Sequence, residues 1–144
     1  MPKAFYSTVL DQPADYVWAT IRAFDAYTWA GTGIDAVMED SAAGDQVGGV
    51  RRVETPAGLL RQRLLEHSDA ERSYTYEICA PSPYAVADYV ATIRVTPVVD
   101  GDRAFVEWWA WFDCSVEERD RWVDQFARQG FAVWLESLRR ATRD

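Results

Sequence analysis

The sequence predicts an α+β domain with seven strands, two short helices after the first strand and one long C-terminal helix. Short runs that alternate apolar and polar residues, typical of strands, dominate the chain up to Ser115. Turn-type clusters separate most of these runs, and connections this short favour antiparallel neighbours. From Ser115 onward a single helical pattern continues nearly to the end of the chain.

The first strand and the two short helices occupy the start of the chain. Residues 3–10 alternate as a strand does. Pro13 suits the first position of a helix, and Asp15 suits its first turn, where the helix dipole favours negative charge. We expect this helix to run to about Phe24 and residues 25–31 to form a second short helix or turn.

Six further strand-like runs follow, and the clusters SAAGD, TPAG, HSDAE, APSP and VDGD punctuate them. We predict strands over residues 33–40, 46–55, 58–67, 72–80, 87–98 and 103–113. Successive side chains of a strand point to opposite faces. The last run therefore separates Trp108 and its partners on one face from Phe105, Trp109 and Trp111 on the other.

The long C-terminal helix has clear signals at both ends and one unusual residue inside. Ser115 and Glu118 form an S-x-x-E capping box, and arginines suit the last turn. Trp122, Val133 and many other apolar residues cover nearly half of the helix. Gly130 lies near the centre of that arc, where glycine costs about 1 kcal/mol relative to alanine. Either a neighbouring element approaches closely there, or space is left for a cavity.

Composition excludes several classes of protein. A length of 144 residues fits one domain, which we place at residues 1–144. A net charge of -8 repels phosphate backbones and no basic stripe compensates, so no nucleic-acid partner is expected. One histidine and two cysteines cannot build a multi-histidine or cysteine-rich zinc site. Phosphate-binding glycine motifs are absent from the sequence, and we predict neither a metal nor a cofactor.

Features that the sequence lacks also predict the cellular compartment and limit the catalytic chemistry. The first residues lack the features of a secretory signal, and no run approaches 18 apolar residues. We therefore expect a cytoplasmic protein without a membrane span, with Cys79 and Cys114 as reduced thiols. His67 lies at a strand end and is expected to be an exposed turn residue. Without a nucleophile motif, no catalytic residue is predicted.

Motifs along nearly the whole chain carry a resemblance to a known superfamily. The segment QPADYVWATIRAFDAYTWAG resembles its strand-to-helix transition, and GDQVGGVRRVE its glycine-rich hairpin with an arginine on the third strand. LLRQRLLEHSDAERSYTYEI is similar to its central strand pair, and YVATIRVTPVVDGDRAFVEWWAWFD to its final hairpin. In this order they resemble the SRPBCC superfamily, which includes START, birch-pollen-allergen-like and polyketide cyclase/dehydrase-like proteins.

The resemblance implies a helix-grip fold, in which a seven-stranded antiparallel sheet wraps around the C-terminal helix. It also implies a hydrophobic cavity between the concave face of the sheet and that helix, which favours the cavity interpretation of Gly130. The Val-x-Trp motif of the final hairpin points Trp108 inward. Many relatives carry a glutamate where this chain has Gln62, which puts an acid or base role there in doubt.

Strand parity and the resemblance together predict the lining of the cavity. The predicted residues are Trp29, Arg51, Gln62, Tyr74, Tyr76, Tyr89, Trp108, Phe126, Gly130 and Trp134. We expect a small hydrophobic ligand that is aromatic, polycyclic or lipid-like. A buried arginine needs a partner, which would be a ligand oxygen or a fixed structural pair with Glu54 or Glu66. Alternatively, a shift of register places Arg51 in water.

Two other functions use the same fold. One is a polyketide cyclase- or dehydratase-like enzyme, in which Arg51, Tyr74 or Tyr76 would polarise a carbonyl group. The other is an interaction module with a collapsed cavity. Outward-facing aromatic residues mark interfaces, so we also predict a homodimer formed through Phe105, Trp109 and Trp111. The alternative is an inverted parity, with these three rings inside and Trp108 outside.

Overall fold

The computed structural model describes residues 1–31 and 34–143, and within them one antiparallel sheet contains seven strands. The strands are β1 Lys3–Leu10, β2 Ala36–Met38, β3 Val50–Thr55, β4 Gly58–Ser68, β5 Ser73–Ile78, β6 Ala87–Val98 and β7 Arg103–Asp113. Their spatial order is β1-β7-β6-β5-β4-β3-β2. The sheet packs one face against the C-terminal helical segment, which confirms the predicted α+β helix-grip fold.

Three of the predicted strands are shorter than the alternation suggested. The predicted run 33–40 begins outside the described residues, and only Ala36–Met38 pairs with β3. The predicted run 46–55 pairs from Val50 onward, because Gly48 adopts a φ of 91°, in the left-handed region that interrupts a strand. The run predicted at 72–80 is paired as Ser73–Ile78.

The helices near the start of the chain are also shorter than predicted. The helix α1 covers Ala14–Ile21, with Asp15 in its first turn. Pro13 precedes the helix instead of occupying its first position, because its ψ of 145° is extended. The second short helix is a single 3₁₀ turn at Thr28–Ala30. Between the two, the backbone N–H of Phe24 donates to Gly44, which anchors the connection.

The C-terminal helical segment changes geometry along its length. A 3₁₀ turn at Val116–Glu118 leads into α2 at Arg119–Phe126, a π turn at Ala127–Phe131, and α3 at Ala132–Thr142. The predicted capping box does not form, because the side chain of Ser115 makes no capping hydrogen bond. Its backbone carbonyl instead accepts the N–H of Glu118 at 3.1 Å, as the tighter 3₁₀ turn requires.

The π turn also changes which residues of the helical segment face the sheet. A π turn closes its hydrogen bond one residue later than an α-helix does, so it rotates everything after it. Val133, which an ideal α-helix places on the apolar arc, is 52% exposed. Phe131, Leu135 and Leu138 are buried against the sheet instead.

The inner faces of β6 and β7 confirm the assignment by strand parity. Buried residues alternate along both strands: Tyr89, Ala91, Ile93 and Val95 on β6, and Ala104, Val106, Trp108, Ala110 and Phe112 on β7. On the outer face, Arg94 and Glu107 form a cross-strand ion pair at 3.1 Å. The period of two therefore placed these side chains correctly.

A polar cluster ties α1 to the turn between β4 and β5. Asp69 accepts hydrogen bonds from both Nε and Nη2 of Arg22 at 2.9 Å, and from Nε1 of Trp18 at 2.8 Å. These contacts lower the pKa of Asp69 to about 2. His67 is half-buried beside Trp18, with ring centroids 5.4 Å apart, so the expectation that it is exposed is wrong.

Among the residues that the structure describes, no helix combines the length and the apolar character that crossing a membrane requires.

Candidate functional site

An open cavity of about 180 Å³ lies between the inner face of the sheet and the C-terminal helical segment. Six aromatic residues line it: Tyr27, Tyr76, Tyr84, Tyr89, Phe126 and Trp134. Aliphatic side chains from β3, β4 and β5 complete the apolar wall: Val53, Leu60 and Ile78. The exposed residues Glu54 and Pro56, next to the β3–β4 turn, form part of its rim.

Gln62 is the polar side chain that β4 contributes to the deep wall of this cavity. It is buried, and it borders the cavity beside Leu60. Its Oε1 accepts a hydrogen bond from Nε of Arg51 at 2.6 Å. Because that oxygen is occupied, the amide nitrogen is the group that Gln62 can offer to a ligand.

Arg51 lies directly behind this wall and is fully buried, with 0% of its surface exposed. Its Nη1 donates to the backbone carbonyl of Phe24 at 2.9 Å. The guanidinium carbon lies 3.9 Å from the ring centroid of Phe24 and 4.0 Å from that of Tyr27. The structural alternative of an ion pair with Glu54 or Glu66 is wrong, because the partners of Arg51 are an amide, a carbonyl and aromatic rings.

The tyrosines around Arg51 keep their protons. Burial raises the pKa of Tyr27 to about 12, although the nearby Arg51 charge opposes the rise. Burial likewise raises the pKa of Tyr74, Tyr76 and Tyr89 above the ordinary tyrosine value. These side chains therefore present neutral hydroxyl groups to the interior near neutral pH.

Trp108 and Trp29, two of the predicted cavity residues, fill the centre of the core. Trp108 stacks on Phe131 with ring centroids 4.8 Å apart and an interplanar angle of 14°. Its Nε1 donates to the hydroxyl of Tyr76 at 3.1 Å. Trp29 packs against Trp108 at 5.8 Å, so both indoles lie behind the cavity wall.

Tyr74 lies away from the cavity, on the side of the core nearer α1. Its ring meets Phe24 edge-on, at 5.6 Å between centroids and an angle of 77°, and it is tilted against Trp18 at 6.2 Å. The interior is therefore divided. Aromatic packing fills the centre and the α1 side, and the space beyond Tyr76 is open.

Gly130 makes room for an indole ring of its own helical segment. A Cβ atom at this position would lie 3.1 Å from Cη2 of Trp134. That contact is tighter than packed carbon atoms normally adopt, so the glycine lets the Trp134 ring lie across the π turn. Trp134 borders the cavity. Both explanations offered for Gly130 therefore apply, because a ring approaches the glycine closely and that close approach also shapes the cavity.

The structure brings Gln62, Tyr76, Tyr89, Phe126 and Trp134 to the cavity wall. The other predicted residues lie behind the wall: Trp29, Arg51, Tyr74, Trp108 and Gly130. Sequence analysis missed Tyr27 and Tyr84, which lie outside the strands and helices, where no periodicity marks them. Leu60 did carry a signal, because it shares strand parity with Gln62.

The outer faces of β1 and β7 carry a second aromatic group, which we call the outer patch: Phe5, Phe105, Trp109 and Trp111. Trp111 is 42% exposed and Phe5 is 43% exposed. Nζ of Lys3 lies 5.4, 5.7 and 5.1 Å from the ring centroids of Phe5, Trp109 and Trp111. The homodimer through this face stays a prediction.

Potential metal ligands do not converge in residues 1–31 and 34–143, where no three histidine, cysteine, aspartate or glutamate side chains form a group.

Comparison with known proteins places the cavity in context. Residues 1–142 match the family model described as polyketide cyclase / dehydrase and lipid transport. A solved protein from Thermobifida fusca is 27% identical with a TM-score of 0.84, the match covering 99% of this chain and 93% of that one. One from Nitrosospira multiformis is 26% identical with a TM-score of 0.82, covering 99% and 97%.

More distant similarity extends to a plant enzyme. Norcoclaurine synthase from Thalictrum flavum, solved with a transition-state analogue, is 13% identical with a TM-score of 0.74. The match covers 97% of this chain and 92% of the synthase. At this identity the similarity shows the fold alone. Among curated proteins, none matches the chain.

Proposed function

The chain belongs to the polyketide cyclase / dehydrase and lipid transport family, and on that premise we propose that it binds a small aromatic molecule of single-ring size. The ligand lies between β3–β6 and the C-terminal helical segment, in the cavity described above. Family membership and fold support a ligand-binding cavity in general. The size and the lining of this particular cavity support the narrower class of ligand.

The cavity volume carries this proposal. Ligand pockets commonly span roughly 300–1,000 Å³, and an apolar cavity of roughly 150 Å³ accommodates one benzene ring. At about 180 Å³ the cavity beside Gln62 matches a single substituted ring. Polycyclic and lipid-like ligands, which the fold also suggested, exceed this volume and would leave apolar surface outside the open mouth of the cavity.

The lining favours aromatic over aliphatic ligands. Tyr84 and Tyr89 each meet Phe126 nearly edge-on, at 5.5 and 5.1 Å between ring centroids. A ligand ring placed beside them finds both ring faces and ring edges, and each such pair contributes about 0.5–1.5 kcal/mol beyond the burial of surface. Most of the binding free energy would come from removing the ligand's apolar surface from water.

The enzymatic alternative needs a group that gains and loses a proton near neutral pH. Among the described residues, the cavity offers the Gln62 amide, tyrosines whose pKa is raised, and the exposed rim carboxylate of Glu54. This set supports binding more than acid–base chemistry. An open cavity likewise fits a ligand-binding protein better than an interaction module with a collapsed interior.

Calorimetric titration with toluene, naphthalene and a long-chain fatty acid tests the proposal. We expect saturable one-to-one binding of toluene only. Leu60→Trp, which places an indole in the cavity, should abolish that binding. The matched control is Leu59→Trp, because Leu59 points to the opposite face of β4 and should leave binding intact. Binding of the fatty acid without binding of toluene would contradict the proposal.

A further inference from the structure

Arg51 brings a positive charge into the interior, and among the residues that the structure describes no carboxylate pairs with it. The side chain is fully buried, and its hydrogen bonds end on neutral acceptors, Oε1 of Gln62 and the carbonyl of Phe24. Its Nη2 is buried and has no hydrogen-bond partner in the structure. Burying an unpaired charge is strongly unfavourable, so a counter-charge from outside the chain would be stabilised here.

The groups packed around Arg51 cannot supply that counter-charge. Phe24 and Tyr27 stack on its guanidinium, and Tyr76 lies 5.2 Å away. Tyr27, Tyr74, Tyr76 and Tyr89 all have pKa values raised by burial, so they remain neutral phenols near pH 7. The carboxylate of Glu54 is at the exposed rim of the cavity, where water screens it.

Gln62 extends the influence of this charge to the cavity wall. Its Oε1 is held by Nε of Arg51 at 2.6 Å, and a flipped amide would place two N–H donors against each other. The orientation of the amide is therefore fixed, with its nitrogen left for the cavity that Gln62 borders. A glutamate at this position would have neutralised Arg51, whereas the amide leaves the charge in place.

We propose that the ligand carries an anionic oxygen on its aromatic ring, as a carboxylate or phenolate, and that the Gln62 amide, backed by the Arg51 charge, binds this oxygen. The inference rests on the proposed function and narrows its class of ligand. The apolar ring would lie against Tyr84, Tyr89 and Phe126, with the anionic oxygen directed at the β4 wall. The net charge of -8 does not oppose this, because exposed charges are screened over roughly 10 Å.

Benzoate, its neutral isostere benzamide, and toluene provide the test by calorimetric titration. Because hydrogen bonds to charged groups are the strong ones, we expect wild-type protein to bind benzoate about 10- to 100-fold more tightly than benzamide. Gln62→Glu and, independently, Arg51→Met should each reduce this ratio to about one or below. A thermal unfolding curve for each variant verifies that it is folded.

The matched control removes a positive charge from β4, next to Gln62 in sequence but on the other face of the sheet. Arg63 points outward and pairs with Glu77 at 2.8 Å, so Arg63→Gln should leave the ratio of benzoate to benzamide affinity unchanged. A nitrophenol tests the phenolate form of the proposed ligand, because the nitrophenolate anion absorbs visible light. Binding should increase the anionic fraction at fixed pH in wild-type protein, and should not do so in Arg51→Met.

The outcomes separate this inference from the proposed function. If benzamide or toluene binds as tightly as benzoate, the inference is wrong while the single-ring binding function stands. If the preference for benzoate survives in both Gln62→Glu and Arg51→Met, the assignment to these residues is wrong. If none of the three compounds binds, the proposed function fails, and this inference fails with it.

Discussion

The two faces of β7 place tryptophans three residues apart in different surroundings. On the inner face Trp108 is fully buried, stacks on Phe131 and donates its N–H to Tyr76. On the outer face Trp111 is 42% exposed, and the ammonium of Lys3 lies 5.1 Å from its ring centroid. Both faces are rich in aromatic residues, yet only the inner one joins the hydrophobic core.

This difference shows that what an aromatic side chain contributes to the protein depends on its surroundings. Inner rings gain from apolar burial and from defined ring geometry, so they determine stability. Outer rings gain little from folding and instead form a surface that another molecule could cover. The inner face is itself divided, because the cavity beyond Tyr76 leaves some of its rings available to a ligand.

The largest expected effect is a loss of stability at alkaline pH, which comes from the tyrosines buried in the core. Tyr27 has its pKa raised from 10.0 to about 12, so the unfolded chain loses this proton first as pH rises. Stability contributed by the neutral form is therefore lost between pH 10 and pH 12, by about 2–3 kcal/mol for Tyr27 alone. Tyr74, Tyr76 and Tyr89 shift in the same direction and add to the fall.

Urea denaturation at pH values from 8 to 12 would measure this loss. Tyr27→Phe is the control, since it removes one group from the titration and should make the decline shallower. A midpoint that does not change across this range would contradict the burial of these phenols.

The next effect compares the two tryptophans directly. Trp108→Ala should lower the free energy of unfolding by about 3–5 kcal/mol, because it leaves a large void in the filled centre of the core. Trp111→Ala, on the outer face of the same strand, should change the free energy of unfolding of the monomer by less than about 0.5 kcal/mol. Equal losses of unfolding free energy in the two variants would contradict the comparison, because the inner and outer tryptophans would then contribute equally to stability.

A smaller effect tests the hydrogen bond inside the inner aromatic cluster. Tyr76→Phe removes the hydroxyl that accepts Nε1–H of Trp108 at 3.1 Å, and leaves that buried donor unpaired. We expect a loss of about 1–3 kcal/mol in the free energy of unfolding. Tyr16→Phe provides a matched control because Tyr16 is exposed, and it should be neutral.

Gly130→Ala should alter the cavity more than the stability. The added Cβ would press against the Trp134 ring, which is half-buried and able to shift towards the cavity. Better helix propensity offsets part of the strain, so we expect a net change within about 1 kcal/mol. Toluene binding should weaken measurably, and Gly130→Ala/Trp134→Phe should restore it by relieving the contact.

The smallest effect on stability concerns the outer patch. We predict that Phe105, Trp109 and Trp111 pair two copies of the chain, and that Trp111→Glu makes the protein monomeric. Light scattering at increasing protein concentration would measure the molecular mass. The free energy of unfolding of the Trp111→Glu monomer should lie within about 0.5 kcal/mol of that of the Trp111→Ala monomer. A wild-type protein that remains monomeric at high concentration would show that the outer patch does not pair copies of this chain.

The alternation of residues was enough to predict β1, β6 and β7 to their end residues. The Val-x-Trp motif of the resemblance was needed to point Trp108 inward, where the structure has it. Alternation is local, because each residue of a strand points opposite to the one before it. The ends of other elements were misplaced where a local backbone choice broke the pattern. Gly48 interrupts the run leading into β3, and the π turn at Ala127–Phe131 rotates Val133 out to solvent.

By itself, the sequence determined the fold and separated the two faces of each strand, because these follow from motif order and from short-range periodicity. Only the tertiary structure decided which inward residues border the cavity and which fill the core. That division depends on contacts between elements far apart in sequence, such as Tyr84 against Phe126, and on how the helical segment crosses the sheet. Arg51 shows the difference. The sequence left its burial open, and the tertiary structure both buried it and placed Gln62 between its charge and the cavity.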